Sequence, residues 1–342
     1  MQFRAATKEH PLTSQTTARW GEPVDPKTYT EVGNEVDWRY GRKEFQEAYD
    51  LMEETWPGLP EDEMHPSMQD CLQFKAFLLA HLGRSEETLE VIRAALRSGY
   101  SWGLSWGVFD SIRDLEGYPD VEKENQELIH AERDAARREV TVMLPEDHRV
   151  GNRSPLCILL HGDGDCSGKL MEHWTTEPLL KRGFIVAFVQ SSQLVFTNRF
   201  AWLPDPKIAW DDIRTSYMEL CEQYTIDEER VLLCGFSGGA ITTVDLVFGE
   251  AIPAAGFICL CPEFKPERFT PEAVKAAAER GVRGAFLEGS LVWPLDDEQD
   301  MMDVMQEAGF PIQLILNEDL GHAFPSDFEG KFEQALRFVL GA

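Results

Sequence analysis

The chain has 342 residues, of which 43% are hydrophobic and 11% aromatic, so it can bury a sizeable core and is long enough for two domains. Its 60 acidic and 32 basic side chains leave a net charge of −28, which repels nucleic-acid phosphates and anionic lipid headgroups. We therefore expect no nucleic-acid partner, and we expect no membrane span because no apolar run reaches about 18 residues.

The seven cysteines form no Cys-x-x-Cys pair, and their odd number suits reduced thiols better than a disulfide framework. The first twenty residues contain no apolar stretch long enough for a signal peptide. Both observations predict a cytoplasmic protein. The acidic clusters lack histidines at ligand spacing, so we expect neither a metal nor another cofactor.

After an N-terminal extension of residues 1–35, residues 36–136 show the apolar spacing of helices. Gly41-Arg42-Lys43-Glu44 opens one helix, and the similar run Gly83-Arg84-Ser85-Glu86 opens another, 42 positions later. Between them, residues 68–82 predict a third helix with more large apolar side chains than an isolated helix can hide. These helices must therefore pack on one another.

This helical half is similar to a short tetratricopeptide-like array of about two helix pairs, although its repeat spacing is longer than is usual for that family. The resemblance implies a domain of stacked helix hairpins. Two roles stay open at this point: a cap that covers the rest of the chain, or a groove that binds a partner peptide. A homo-oligomer formed through the helical domain is a further alternative.

From residue 137 to residue 342, short β-rich runs alternate with helical stretches. Nearly all-apolar strands between amphipathic helices predict an α/β domain, with a mostly parallel sheet covered by helices. The predicted strands are 140–144, 156–160, 184–189, 230–234, 256–261, 284–287 and 312–317. The predicted helices are 169–182, 206–224, 238–248, 271–280, 297–308 and 327–340.

The predicted strand 230–234 runs directly into Gly235-Phe236-Ser237-Gly238-Gly239 and then into a helix. G-x-S-x-G between a strand and a helix is the pattern of a nucleophile elbow, which presents a serine on a sharp turn. Small neighbours are needed because the two backbones crowd there, and the helix N-terminus directs N–H groups at the reacting centre. Ser237 is therefore the predicted nucleophile.

Upstream, a predicted strand ends in His161-Gly162-Asp163-Gly164. Acyl transfer needs hydrogen-bond donors for the developing oxyanion, and a glycine-rich loop at a strand end can turn a backbone N–H toward the serine. The backbone amides of Asp163 and Gly238 are the candidate donors. We interpret His161 as a residue that shapes this loop without exchanging protons.

The last predicted strand leads into a loop that contains Gly321-His322-Ala323-Phe324. A histidine on the loop after the final strand can reach back over the sheet to the serine. The other histidines lie before the loops that matter or within a predicted helix. His322 is therefore the predicted general base.

With these three motifs in this order, residues 138–342 resemble the α/β-hydrolase superfamily, closest to its phospholipase/carboxylesterase and dienelactone-hydrolase-like branches. The resemblance implies that Ser237 attacks an ester carbonyl and that His322 accepts and returns the proton. It also implies that the Asp163 and Gly238 amides hold the oxyanion. The implied substrate is a small-molecule carboxylic ester or thioester, cleaved through an acyl-enzyme without a cofactor.

The third member of the catalytic triad is where this sequence departs from the family. The family's acid lies three residues after the glycine that closes the penultimate strand, here Gly289, and Val292 occupies that place. Asp296, slightly further along the same loop, is the first candidate. The alternatives are its neighbour Asp297, Glu263 after the preceding strand, or no side-chain acid.

The loop after the predicted strand 184–189 is rich in apolar side chains, which together with Trp293 predict either a substrate pocket or a surface beneath the helical half. Two other functions stay open. One is a peptidase similar to the prolyl-oligopeptidase branch, which shares the elbow. The other is a non-enzymatic interaction protein with a decayed hydrolase domain, which Val292 favours. The apolar loop residues are Leu194, Val195, Phe196, Phe200 and Trp202.

Overall fold

The computed structural model describes residues 4–5, 29–58, 68–262, 270–292 and 295–341. The helices are α1 (Tyr29–Gly41), α2 (Phe45–Thr55), α3 (Met68–His81), α4 (Ser85–Arg97), α5 (Tyr118–Arg133), α6 (Ser167–His173), α7 (Glu177–Leu180), α8 (Pro206–Gln223), α9 (Gly238–Phe248), α10 (Pro271–Glu279), α11 (Leu295–Glu307) and α12 (Phe328–Leu340). The strands are β1 (Arg4–Ala5), β2 (Glu139–Met143), β3 (Ser154–Leu160), β4 (Ile185–Gln190), β5 (Leu194–Phe196), β6 (Arg199–Phe200), β7 (Ile226–Phe236), β8 (Gly256–Leu260), β9 (Arg283–Gly289) and β10 (Ile312–Asn317).

The helical region comprises α1 to α5, and its first helix begins at Tyr29, before the predicted start at residue 36. Helix α1 packs on α2, and α3 packs on α4. The turns within these two pairs are equivalent at Lys43 and Gly83, which both have left-handed φ angles, of 62° and 71°. The sequence alignment of Gly41 with Gly83 is therefore shifted by two residues. The two turns share a left-handed position, which Lys43 occupies in the first helix pair and Gly83 in the second.

Eight strands form one sheet in the order β1-β2-β4-β3-β7-β8-β9-β10. Strands β2 and β4 are antiparallel, and all other neighbours in this sheet are parallel. This confirms the predicted α/β class with a mostly parallel sheet. Strand β1 comes from the N-terminal extension and pairs with β2, so part of that extension belongs to the sheet edge.

Helices cover both faces of the sheet because its central strands are apolar on both sides. Every residue of β3 is buried. Alternate β3 residues such as Ile158 pack with α8 to α11, whereas Cys157 and Leu159 pack with α6, α7 and α12. The predicted helix 169–182 is two helices, α6 and α7, because the buried Trp174 leaves helical geometry with a ψ of 120°.

The helical region packs against the segment that contains β5 and β6. Thr197 and Ser101 exchange hydrogen bonds, with the Thr197 amide donating to Ser101 Oγ at 2.8 Å. The buried guanidinium of Arg199 pairs with Asp70 of α3. The apolar segment thus packs beneath the helices, which is one of its two predicted roles. Within the described ranges, no helix has the length and hydropathy needed to cross a bilayer.

Candidate active site

Ser237 lies at the sharp turn between β7 and α9, with φ of 53° and ψ of −122°. This backbone conformation is costly for a residue with a β-carbon and persists only where the surroundings enforce it. The Ser237 amide donates to the Leu260 carbonyl at 2.9 Å, and its carbonyl accepts from the Ile241 amide at 3.0 Å. The sheet ladder and the first helix bond therefore hold the serine from both sides.

Backbone crowding explains the two glycines that flank this turn. A β-carbon on Gly235 would collide with the Gly239 carbonyl group. A β-carbon on Gly239 would collide with the carbonyl oxygens of Leu160 and His161. Because backbone atoms cannot move aside as a side chain can, glycine is required at both positions.

The oxyanion loop, residues 161–165 after β3, lies directly against Ser237. A β-carbon on Gly162 would lie 3.4 Å from the Ser237 β-carbon, and the Asp163 carboxylate packs over Gly238. Since Gly238 is the first residue of α9, its N–H has no carbonyl partner within the helix. The structure therefore brings both predicted oxyanion donors, Asp163 and Gly238, together beside the serine.

The Asp163 side chain anchors the oxyanion loop. One carboxylate oxygen accepts the Trp202 amide at 2.8 Å, and the other accepts the Leu203 amide at 3.3 Å. The Trp202 indole also donates to the His161 carbonyl at 2.8 Å. The segment after β6 thus holds this loop in place.

His161 is buried at the start of the oxyanion loop. Its Nδ1 lies 2.7 Å from the Gly162 carbonyl, and its Nε2 lies 3.0 Å from Gln190 Nε2 and 3.2 Å from the Ser191 amide. A neutral ring that donates from Nδ1 and accepts at Nε2 satisfies these contacts. Burial lowers the pKa of His161 to about 4, which keeps the ring neutral at pH 7. These contacts agree with the interpretation of His161 as a loop-shaping residue.

The His322 loop, residues 318–324 after β10, crosses the end of β9. The Leu291 amide donates to the Leu320 carbonyl at 2.8 Å. The Asp319 amide donates to the Ser290 hydroxyl at 2.9 Å. The segment that follows β9 therefore supports the loop on one side.

The end of α1 supports the His322 loop on its other side. Gly41 and Gly321 pack so closely that a β-carbon on Gly321 would collide with the Gly41 carbonyl oxygen. The neighbouring Arg42 guanidinium donates to the Asp319 carbonyl at 3.2 Å. The helical region therefore contacts the residue directly before the predicted general base.

The His322 ring packs on Phe236, the residue before Ser237, with ring centroids 5.2 Å apart. Desolvation by the surrounding protein lowers the pKa of His322 to about 4. The His322 side chain is also exposed to solvent, and hydration of the charged ring opposes this lowering of the pKa. The direction of the pKa shift is therefore what matters for the chemistry. A lowered pKa keeps the ring neutral at pH 7, in the state that can accept a proton.

Within the described ranges, no hydrogen bond joins Ser237 Oγ to the His322 ring, although both residues contact or adjoin Phe236. Catalytic hydrogen bonds are often long in an empty site and tighten when substrate binds. The predicted proton transfer therefore requires these two side chains to lie closer together than they do in this structure.

The predicted acids fall largely outside the described residues. Glu263 lies outside them, and so do the side chains of Asp296 and Asp297, whose backbones form the start of α11. The sequence reasoning missed a different carboxylate, that of Glu288, which is 1% exposed near the end of β9. Its Oε1 accepts the Gly289 amide at 2.9 Å.

Glu288 adjoins the His322 loop. Asn317, the last residue of β10, donates from its side chain to the Glu288 carbonyl at 2.8 Å, and Gly289 packs against the Gly321 carbonyl. A buried carboxylate is costly, and such groups cluster at functional sites. A signal was present in the sequence, because the acidic Glu288 directly follows the apolar residues 284–287 of β9.

Among the described side chains, no group of three or more His, Cys, Asp or Glu residues is arranged to hold a metal ion. Neither a protein-family model nor a curated protein sequence matches this chain. The chain is similar in structure to an uncharacterised protein from Bacillus cereus ATCC 10987, with a TM-score of 0.50 and 20% identity, over 91% of this chain and 98% of that one. This coverage extends beyond the sheet into the helical region.

Two esterase structures are also similar to this chain. One is the butyrate-bound esterase Est2 of Thermogutta terrifontis, with a TM-score of 0.46 and 14% identity, over 62% of this chain and 92% of that one. The other is a thermostable esterase, with a TM-score of 0.44 and 17% identity, over 59% of this chain and 58% of that one.

Proposed function

We propose that this chain is a serine hydrolase that cleaves a carboxylic ester or thioester through an acyl-enzyme. The observation that carries the proposal is the backbone of Ser237, whose φ of 53° places it on a strand–turn–helix elbow. The oxyanion loop packs against this elbow at the carboxyl edge of the sheet, where open α/β folds bind their ligands.

In the proposed reaction, Ser237 Oγ attacks the carbonyl carbon while its proton passes to a ring nitrogen of His322. The carbonyl oxygen gains negative charge, which the amides of Asp163 and Gly238 stabilise together with the positive end of the α9 dipole. Collapse of this intermediate breaks the ester bond, and His322 returns the proton to the leaving alcohol or thiol. Water then attacks the acyl-enzyme by the same steps, which releases the acid and restores the serine.

A carboxylate that orients the His322 ring completes the proposal. Asp296 is the candidate carried from the sequence. Glu288 is a second candidate, because it is buried and its neighbour Gly289 packs against the His322 loop. Either group would stabilise the imidazolium formed when His322 takes the proton.

A fluorophosphonate probe, which reacts with activated serines, tests the proposal. We expect one labelled residue, Ser237, and no labelling of Ser237→Ala. Ser167→Ala is the control, since Ser167 also begins a helix, α6, but lies on no elbow. Mass spectrometry that places the label elsewhere contradicts the proposal. An unlabelled protein that is also inert toward short p-nitrophenyl esters supports the non-enzymatic alternative.

A further inference from the structure

A cavity of about 390 Å³ lies between the helical region and the oxyanion loop. Its floor includes Asp163 and Gly164 of that loop, so it borders the residue whose amide we assign to the oxyanion. Its other walls are partly polar, at Ser105 and Gln126, and partly apolar. The apolar walls are formed by Trp102, Leu104, Trp106 and Ile129 of the helical region and by Val195, Ala201 and Pro204 of the opposite side.

The tryptophan wall of the cavity is held in place by buried contacts. The buried Asn125 side chain accepts the Trp102 amide at 2.6 Å and donates to the Trp102 carbonyl at 2.9 Å. The Trp106 ring lies against Gly164 and packs edge-on against Phe196, with centroids 5.3 Å apart. The cavity is therefore largely preformed, as small-molecule sites usually are.

One cation lines this cavity. Arg133, the last residue of α5, is exposed and forms no ion pair with any side chain that the structure describes. By contrast, Arg93 and Arg113 of the same region pair with Glu90 and Asp110. Arg133 therefore places beside the cavity a positive charge with which no described acidic side chain forms an ion pair.

Asp163 is the acidic side chain among the lining residues, and in the described part of the chain no ion pair joins it to Arg133. Both of its carboxylate oxygens accept backbone N–H groups, from Trp202 and Leu203. These bonds direct the carboxylate toward the segment after β6 and offset part of its charge. The guanidinium of Arg133 is thus the group available to an anionic ligand.

We propose that this cavity binds the acyl arm of an ester whose far end carries a carboxylate, with Arg133 as the specificity-determining residue. The substrate class is then a monoester of an aliphatic dicarboxylic acid. The tryptophan wall contacts the methylene chain, and the Arg133 guanidinium binds the terminal carboxylate. This inference rests on the proposed function, and it makes the helical region part of the substrate site.

Two p-nitrophenyl esters with acyl chains of equal length test the inference: the octanoate and the monosuberate, which differ in the terminal carboxylate. We expect the parent protein to hydrolyse the monosuberate with a kcat/KM about tenfold higher, because a hydrogen bond to a charged group typically contributes that much. An equal or higher kcat/KM for the octanoate overturns the inference.

Arg133→Gln should remove this preference, so that the ratio of kcat/KM for the monosuberate to kcat/KM for the octanoate falls to about one. Arg137→Gln is the matched control, since Arg137 carries the same charge but donates to the Asp134 and Ala136 carbonyls and does not line the cavity. If Arg133→Gln keeps the preference, the inference is wrong. It is also wrong if Arg137→Gln loses as much, because the effect is then one of general charge.

Calorimetric titration of Ser237→Ala with monomethyl suberate tests binding in the cavity independently of hydrolysis. We expect binding, with a Kd about tenfold weaker after the added Arg133→Gln change. This result supports the cavity even if the parent neither hydrolyses esters nor reacts with the fluorophosphonate, in which case the proposed function alone fails. No binding to Ser237→Ala, or equal affinity in both variants, overturns the cavity inference.

Discussion

The loops that carry Ser237 and His322 are held in different ways. Ser237 is held by hydrogen bonds to the neighbouring strand β8 and to the first turn of α9, with the oxyanion loop packed against the elbow. The His322 loop is held between the segment after β9 and the end of α1, which is distant in the chain. The proposed nucleophile therefore depends on the backbone geometry of the sheet itself, whereas the position of the proposed base depends on how the helical region packs on the sheet.

This difference means that a substitution in the helical region can alter turnover without contacting Ser237. The same region lines the cavity beside the oxyanion loop. Its helices thus meet the proposed active site at two places, the His322 loop and the cavity wall. Substitutions at the Ser237 elbow and at the His322 loop test this difference. The largest loss of activity is expected on removal of the acid proposed to orient His322.

Loss of the orienting carboxylate should reduce kcat by about two to four orders of magnitude, because His322 then loses its correct tautomer. If Glu288 has this role, Glu288→Gln should produce the loss and Asp296→Asn should have little effect. The reverse pattern assigns the role to Asp296. Circular dichroism should show the fold retained in the variant that loses activity. Full activity in both variants means that neither carboxylate orients the ring.

Gly239→Ala should distort the elbow that carries Ser237. Its β-carbon meets two backbone carbonyl oxygens, so we expect the free energy of unfolding to fall by about 3 kcal/mol and fluorophosphonate labelling to stop. The control is Gly330→Ala on the exposed face of α12, where nothing lies near the new β-carbon. That change should stabilise the protein by about 0.5–1 kcal/mol. Urea titration measures both, and an unchanged midpoint for Gly239→Ala contradicts the crowded elbow.

Gly321→Ala should displace the His322 loop. The new β-carbon meets the Gly41 carbonyl oxygen and must push the His322 loop away from α1, so we expect kcat to fall about tenfold. Gly41→Ala is the matched control at the same contact, because its β-carbon would lie 3.7 Å from the Gly321 α-carbon, an ordinary contact distance. Steady-state kinetics of both variants test the asymmetry. Equal losses, or none, would show that α1 does not position the base.

The pH dependence of turnover should report the desolvated state of His322. Desolvation lowers its pKa from 6.5 to about 4, and the ring acts as a base only when neutral. Activity should therefore persist below pH 6.5 and decline as the pH falls toward 4. The kcat/KM profile, followed at the isosbestic wavelength of p-nitrophenol, measures this limb. A decline centred at or above pH 6.5 would contradict a lowered pKa and would show that solvent or the orienting carboxylate offsets the desolvation of the ring.

Much of the α/β part follows from periodicity and turn chemistry alone. The predicted helix 238–248 has the bounds of α9, and the predicted strand 312–317 has the bounds of β10. Buried strands of a parallel sheet are apolar throughout, and covering helices are apolar on one side, so both patterns can be read locally. The local pattern did not predict the break in helix 169–182, because tertiary packing buries Trp174 in extended geometry.

The sequence by itself determined the order of strands and helices, the elbow at Ser237 and the place of His322 after the last strand, because each depends on neighbours within one short segment. Only the tertiary structure decided that Glu288 is buried, that Gly41 meets Gly321, and that a cavity forms beside Arg133. These contacts join residues far apart in the chain. The packing of the helical region on the sheet creates them, and no local pattern encodes that packing.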